Sequence, residues 1–296
     1  MKFSAWPSVT NPWKDLAEEA KQIDAAGYNT LYVGDHFMHN REDNLGPFME
    51  SWTVLSALAA LTSRVRLGTL VTGNTYRNPG VLAKQVAQVD VISGGRVTLG
   101  IGAGWQENEH VAYGVYYPPV GERLKRLEES MQIIRSLFQN DRTSFDGQFY
   151  QFQNAPLAPK PVQERLPIMI GGGGEKVTLR LVAQYADAWN FPGSPEAFAD
   201  KVTILKEHCE RHGRDPKTIT KVGTMMVGFG EPIGGGRPDP AGWHVVEHVS
   251  GLSGGIERFA EAGADEIIFH FNPGRPLEAR KETLVQFMED VAPQYK

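Results

Sequence analysis

The sequence predicts an α/β fold, a (β/α)8 TIM barrel with insertions in its βα loops, and three observations carry that expectation. Short β-branched or apolar runs alternate with amphipathic segments of helical period, the pattern of a parallel sheet with crossover helices. The strand-like runs number eight, the count that closes a barrel. A doubly wound sheet would need a dinucleotide fingerprint after its first strand, where the chain reads Trp6-Pro7-Ser8 instead. At 296 residues the chain is expected to form one domain, 1–296, because barrels of this length share a single core.

Taken in order, the first strand falls near Phe3–Ala5 and feeds a helix over Pro12–Ala26, closed by Gly27. Thr30–Val33 precedes a helix at Ser51–Thr62, and Val65–Val71 precedes one at Pro79–Ile92, where Asn78 is a cap and Pro79 suits the first helical position. Val97–Ile101 leads to Gly121–Phe138, and Ile168–Ile170 to Lys176–Tyr185. Ala188–Phe191 is followed by Pro195–His212 with Gly213 after it, Ile219–Val227 by Trp243–Ala262 with Gly263 after it, and Glu266–Phe269 by Leu277–Val291. Two stretches exceed a minimal barrel: Asp141–Lys160, a small extended excursion, and the Gly- and Pro-rich Gly228–Gly242. Long βα insertions are where barrels vary their substrate chemistry.

Composition is that of an ordinary globular protein, with 41% hydrophobic and 22% charged residues and a net charge of -5. Charges of both signs are interspersed and no Lys/Arg run tracks a phosphate backbone, so no nucleic-acid partner is expected. The single cysteine, Cys209, excludes intramolecular disulfides and cysteine-based zinc or iron–sulfur sites. No run of about 18 apolar residues spans a membrane, and Met1-Lys2-Phe3-Ser4-Ala5-Trp6-Pro7 is too short in its apolar run for a secretory signal. A cytoplasmic location is the expectation.

Barrel chemistry sits at the carboxyl ends of the strands, so the residues just after each strand are the candidates. Gly34-Asp35-His36-Phe37 follows the second strand; an imidazole beside a carboxylate suits proton transfer, although a loop histidine satisfied by its neighbours reads the same way. The third strand ends in Thr69-Leu70-Val71-Thr72-Gly73-Asn74-Thr75-Tyr76-Arg77-Asn78, whose amides and hydroxyls can donate and accept along a flavin edge. The fourth leads into Gly100-Ile101-Gly102-Ala103-Gly104-Trp105-Gln106-Glu107-Asn108-Glu109, glycines that let backbone approach a flat ligand. Gly171-Gly172-Gly173-Gly174 after the fifth, ahead of a helix, offers N–H groups to an anion, with Lys176 or Arg180 to add charge; a flexible turn is the bland alternative. No metal site is expected, because His36, His39, Asp35 and Asp43 lack a helical frame. No Walker motif is present.

Together with Asp90-Val91-Ile92-Ser93-Gly94-Gly95-Arg96 and Ala186-Asp187-Ala188-Trp189-Asn190, these runs span most of the chain. The sequence resembles the bacterial luciferase-like flavin-dependent family, and within it the branch that uses the deazaflavin coenzyme F420. The resemblance implies a barrel with loop insertions, usually a homodimer, with a non-proline cis peptide at Leu70–Val71 beside the cofactor ring. It implies His36 and Asp35 as the catalytic pair, with His36 also against the cofactor. Thr69, Leu70 and Val71 would lie along the ring and Asn108 near the ribityl chain. Gly102, Gly104, Trp105 and Lys176 would be further cofactor contacts, and the phosphate would rest on Gly171, Gly172, Gly173 and Gly174. The activity implied is hydride transfer between F420 and a small-molecule substrate. An FMN-dependent monooxygenase on the same barrel is the alternative, and a non-catalytic flavin-binding or structural barrel the second. The sugar-phosphate dehydrogenases of this branch have a carboxylate where Trp105 stands, so sugar oxidation is not expected. Trp105 would wall an apolar pocket or pack in the core, and Gly228–Gly242 with Trp243 would complete that pocket.

Overall fold

Strands buried on both faces cannot alternate in polarity, and the barrel strands show it: Thr30–Val33 and Val97–Gly102 are buried throughout. The computed structural model describes residues 1–227, 244–246, 252–271 and 275–295. Its elements run β1 (Lys2–Trp6), α1 (Trp13–Ala26), β2 (Thr30–Val33), α2 (Ser51–Leu61), β3 (Arg66–Thr69), β4 (Thr72–Gly73), α3 (Pro79–Ser93) and β5 (Val97–Gly102). There follow α4 (Glu107–Ala112), α5 (Val120–Gln139), β6 (Arg142–Asp146), β7 (Gln151–Pro156), β8 (Ile168–Gly171), α6 (Thr178–Tyr185), β9 (Ala188–Phe191) and α7 (Pro195–Arg211). The chain ends with β10 (Thr220–Val227), β11 (His244–Val246), α8 (Leu252–Glu261), β12 (Glu266–Phe271) and α9 (Leu277–Gln286).

Eight parallel strands pair in the order β1, β2, β3, β5, β8, β9, β10, β12, and β12 returns to β1 with Lys2 to Trp6 opposite Glu266 to His270. The sheet is therefore closed, a (β/α)8 TIM barrel. Odd and even residues serve two cores. One layer, including Leu31, Leu67, Leu99, Ile168, Trp189 and Phe269, packs outward against the helices. The other, Tyr32, Met169, Ala188, Val222 and Ile268, fills the barrel, with Trp6, Leu70 and Val71 above it. At the amino ends of the strands, carboxylates fasten the backbone. Asp24 accepts from the N–H groups of Ser63, Arg64 and Val65, Asp90 from those of Val97, Val162 and Gln163, and Asp187 from that of Ile168.

At four places the structure refines or departs from the expectation. The expected strand Val65–Val71 is interrupted after Thr69 by a cis peptide at Leu70–Val71, and resumes as β4, which pairs with the end of β5. The excursion expected at Asp141–Lys160 is an antiparallel hairpin of β6 and β7, pinned by Glu129, whose carboxylate accepts from the N–H groups of Gln148, Phe149 and Tyr150. A helix does not cover Trp243–Ala262. His244–Val246 instead extends the sheet beside Met225–Val227, as two adjacent valines favour, and α8 starts at Leu252. Gly228–Gly242, with Trp243, lies outside the described residues. Finally, the helix expected from Lys176 begins at Thr178, one turn beyond the glycines. Among the described residues no helix is long and apolar enough to cross a membrane.

Candidate active site at the barrel mouth

The period of two that places Tyr32, Met169 and Ile268 inside the barrel puts the residues two further along at its mouth: Gly34 just after β2, Gly171 on β8 and His270 on β12. On β5 the corresponding residue is Gly102. A Cβ at Gly102 or Gly171 would lie 3.0 or 2.9 Å from the Val71 side chain, so these strands are bare where Val71 crosses toward them. Gly100 is tighter still, since a Cβ there would come within 1.8 Å of the Thr69 carbonyl oxygen. The cis bulge is thus seated on glycine backbone.

His36 stands on the loop after β2, and Glu109 on α4 holds it. The imidazole Nδ1 is 2.7 Å from one carboxylate oxygen, which also accepts from the Tyr76 hydroxyl, while the other oxygen accepts from the Phe37 N–H at 2.7 Å. A carboxylate only accepts, so Nδ1 carries a hydrogen and Nε2 is left to meet a ligand. The Glu109 side chain is fully buried and that of His36 is 21% exposed. Burial raises the Glu109 carboxyl, but the bonds from His36, Phe37 and Tyr76 outweigh it and hold the group below its ordinary value. Burial, reinforced by Glu109, drives the Tyr76 phenol strongly upward, so it stays a donor. Trp105 and Phe48 meet the His36 ring edge-on at 5.5 and 6.1 Å.

Asp35 and His36 find different partners. Its side chain is fully buried and Arg77 grips both oxygens, at 2.6 and 3.1 Å, while bonding Glu50 at 2.5 Å. Burial alone would lower the Arg77 guanidinium, yet Asp35 and Glu50 raise it. Because successive residues leave a strand end in opposite directions, Asp35 braces the loop that presents His36. The Thr69 hydroxyl is likewise spent, on the Gly100 carbonyl at 2.6 Å.

The remaining expected contacts divide. Leu70 and Val71 lie partly exposed above the barrel core. Gly104 adopts φ +81, and Thr75 occupies the space a side chain would need. Trp105 is 59% exposed and walls a cavity of about 690 Å³ together with Met38, Asn40, Asn44 and Asn108. It does not pack in the core. Asn108 donates to the His39 carbonyl at 3.3 Å, while its Oδ1 is buried without a partner, as is Nδ2 of Asn74. Gly171 to Gly174 follow β8, and Gly172 both donates to Asn190 and accepts from the Trp189 indole. Lys176 is exposed, whereas Arg180 is paired with Glu128 at 2.8 Å and is not free to border a ligand. A bare glycine floor, an orphaned amide donor and an orphaned carbonyl acceptor suit a flat heterocycle with polar edges, and so fit a flavin or deazaflavin.

Sequence reasoning missed Glu109, Tyr76 and His270 as site residues. The first two stand inside runs already singled out, and the usable signal was a carboxylate in the first turn of a helix that follows a glycine-rich strand end.

Comparison with known proteins agrees with this architecture. An uncharacterised protein of Mycobacterium tuberculosis is 31% identical over 67% of this chain and 75% of its own length. A protein of Kineococcus radiotolerans named F420-dependent glucose-6-phosphate dehydrogenase is 28% identical, covering 94% of this chain and 92% of the relative. A solved F420-dependent secondary alcohol dehydrogenase, in complex with an F420-acetone adduct, superposes with a TM-score of 0.85 at 20% identity over 98% of both chains. The profile of luciferase-like monooxygenases matches residues 1–232, and the chain belongs to that family.

Proposed function

We propose that the protein is an F420-dependent oxidoreductase that moves a hydride between the deazaflavin and a small organic substrate, with His36 exchanging the accompanying proton. The observation that carries this reading is the His36–Glu109 pair at a glycine-floored barrel mouth. Support for the cofactor comes from the relatives named for F420.

Residues that would hold F420 are Leu70 and Val71 under the ring, Asn74 and Asn108 at its polar edges, and Gly171 to Gly174 with Lys176 at the phosphate and the acidic tail. Bound F420 supplies the two-electron hydride chemistry. In the oxidative direction a substrate C–H bond breaks with both electrons leaving as hydride, a carbonyl forms, and the hydroxyl proton passes to Nε2 of His36. Glu109 keeps Nδ1 hydrogenated and stabilises the imidazolium as it forms, and Tyr76 and the Phe37 N–H keep that carboxylate in place. In the reductive direction the same imidazolium returns the proton to the new alkoxide. The resemblance to a dimeric family extends the proposal to a homodimer, which sedimentation velocity tests.

The cofactor is tested by titrating the apoprotein in parallel with F420 and FMN and following fluorescence. Tighter binding of F420 supports the reading. Preference for FMN, with oxygen consumption on reduction, replaces it with a monooxygenase.

A further inference from the structure

His270 lies near the carboxyl end of β12, two residues beyond Ile268 of the barrel core, and in register with Trp6 on one side and Met226 on the other. It therefore faces the mouth, and nothing in the chemistry of His36 uses it. Its ring lies against the Trp6 indole, centroids 4.2 Å apart, and the indole in turn lies 3.6 Å from the position of a Cβ on Gly34. Imidazole and indole thus form one wall of the mouth next to the strand that carries His36.

The hydrogen on this imidazole can be located from its partner. Nδ1 is 2.9 Å from the Trp6 carbonyl oxygen, and a carbonyl oxygen only accepts, so Nδ1 is the donor. Burial pushes the His270 imidazolium down to about 4, and the ring is neutral at physiological pH. A neutral ring with hydrogen on Nδ1 has a bare lone pair on Nε2, and among the described residues no donor meets it. A carboxylate or phosphate dianion brings no hydrogen to this acceptor, whereas an uncharged molecule with an O–H would satisfy the lone pair.

We propose that Nε2 of His270 accepts a hydrogen bond from a substrate hydroxyl other than the one that gives its proton to His36, and so selects uncharged hydroxyl compounds over phosphate esters and carboxylates. That the selected molecule is the substrate rests on the oxidoreductase reading above. The recognition atom itself is a property of this chain.

The test uses full-length protein labelled with 15N at histidine, with the His270 signals assigned by their loss in His270→Phe. At neutral pH, long-range proton–nitrogen spectra should show Nδ1 hydrogenated and Nε2 bare. Benzyl alcohol should move the Nε2 resonance upfield and benzyl methyl ether, which has no donor, should leave it in place. The alcohol should bind about fivefold more tightly than the ether, the worth of one net hydrogen bond, and the His270→Phe protein should lose that preference while keeping its F420 affinity. A hydrogen on Nε2, a resonance indifferent to benzyl alcohol, tighter binding of benzyl phosphate than of the alcohol, or a loss of F420 affinity in His270→Phe would each overturn the proposal. The spectra need no cofactor. A wild-type protein that fails to bind F420 strikes the reading of the reaction and leaves the recognition atom standing or falling on its own signals.

Discussion

On β5 and β8 the inward positions at the mouth are Gly102 and Gly171, whereas on β1 and β12 they are Trp6 and His270. The first half is shaped by side chains that are missing, and its polar backbone and the seat of Val71 are what a flat ring would touch. The second half is shaped by side chains that are present and that carry nitrogen atoms with defined hydrogens. A ligand between them would meet backbone on one face and chemistry on the other. The contrast teaches where each kind of substitution should hurt: volume added to the glycine half should damage folding, and atoms removed from the side-chain half should damage reaction and recognition.

The largest effect should come from Gly100→Val, which should yield no folded protein, while Gly100→Ala should lower the unfolding free energy by about 3 kcal/mol or more, because the Thr69 carbonyl stands where the Cβ must go. Urea unfolding followed by circular dichroism measures it, and a tolerated alanine would break the comparison. Next, His36→Ala should reduce turnover by about 10² to 10⁴, with F420 affinity little changed. Unchanged turnover would remove His36 from the reaction.

Asp35→Asn sharpens the boundary between the halves. If the carboxylate is an anchor for Arg77, its loss should cost about 3 kcal/mol of stability, and turnover per folded molecule should fall far less than in His36→Ala. A normal melting temperature with lost turnover would restore Asp35 to the chemistry. Glu109 should show itself in acid. Its folded value is depressed, so the stability it contributes is complete above the ordinary carboxylate range, near 4.3, and is lost as pH falls through the lower folded value. The stability gap between wild type and Glu109→Gln should therefore close between about pH 5 and pH 3, as urea midpoints would show. The smallest effect belongs to Lys176→Ala. An exposed lysine at the expected phosphate should contribute about two- to threefold in F420 affinity, and that difference should vanish in high salt.

The barrel was legible because its signals are periodic and repeated: eight apolar runs, caps such as Asn78 with Pro79, and Gly27, which adopts a left-handed φ of 99. The cis peptide at Leu70–Val71 was reached through resemblance and is present, though no propensity of leucine or valine announces it. That Asp35 and His36 pair differently was not legible, since adjacent residues share every local signal and differ only in which tertiary partner they find, Arg77 or Glu109. Whether Trp105 walls the pocket or packs in the core is a question of exposure that sequence does not carry. His244–Val246 was misread because its helix-like surroundings hid a valine pair that finds its partner on β10.

The carboxylates Asp24, Asp90 and Asp187 fasten the opposite rim of the barrel by gripping backbone N–H groups at the starts of strands and adjoining loops. That clasp touches no atom of the mouth, so loops there can be lengthened, exchanged or rewritten while the clasp keeps the strands in register. For an engineer the lower rim is the chassis: new specificities can be grafted after the carboxyl ends of β2, β5 and β10, and it is the lower aspartates that a library should leave alone.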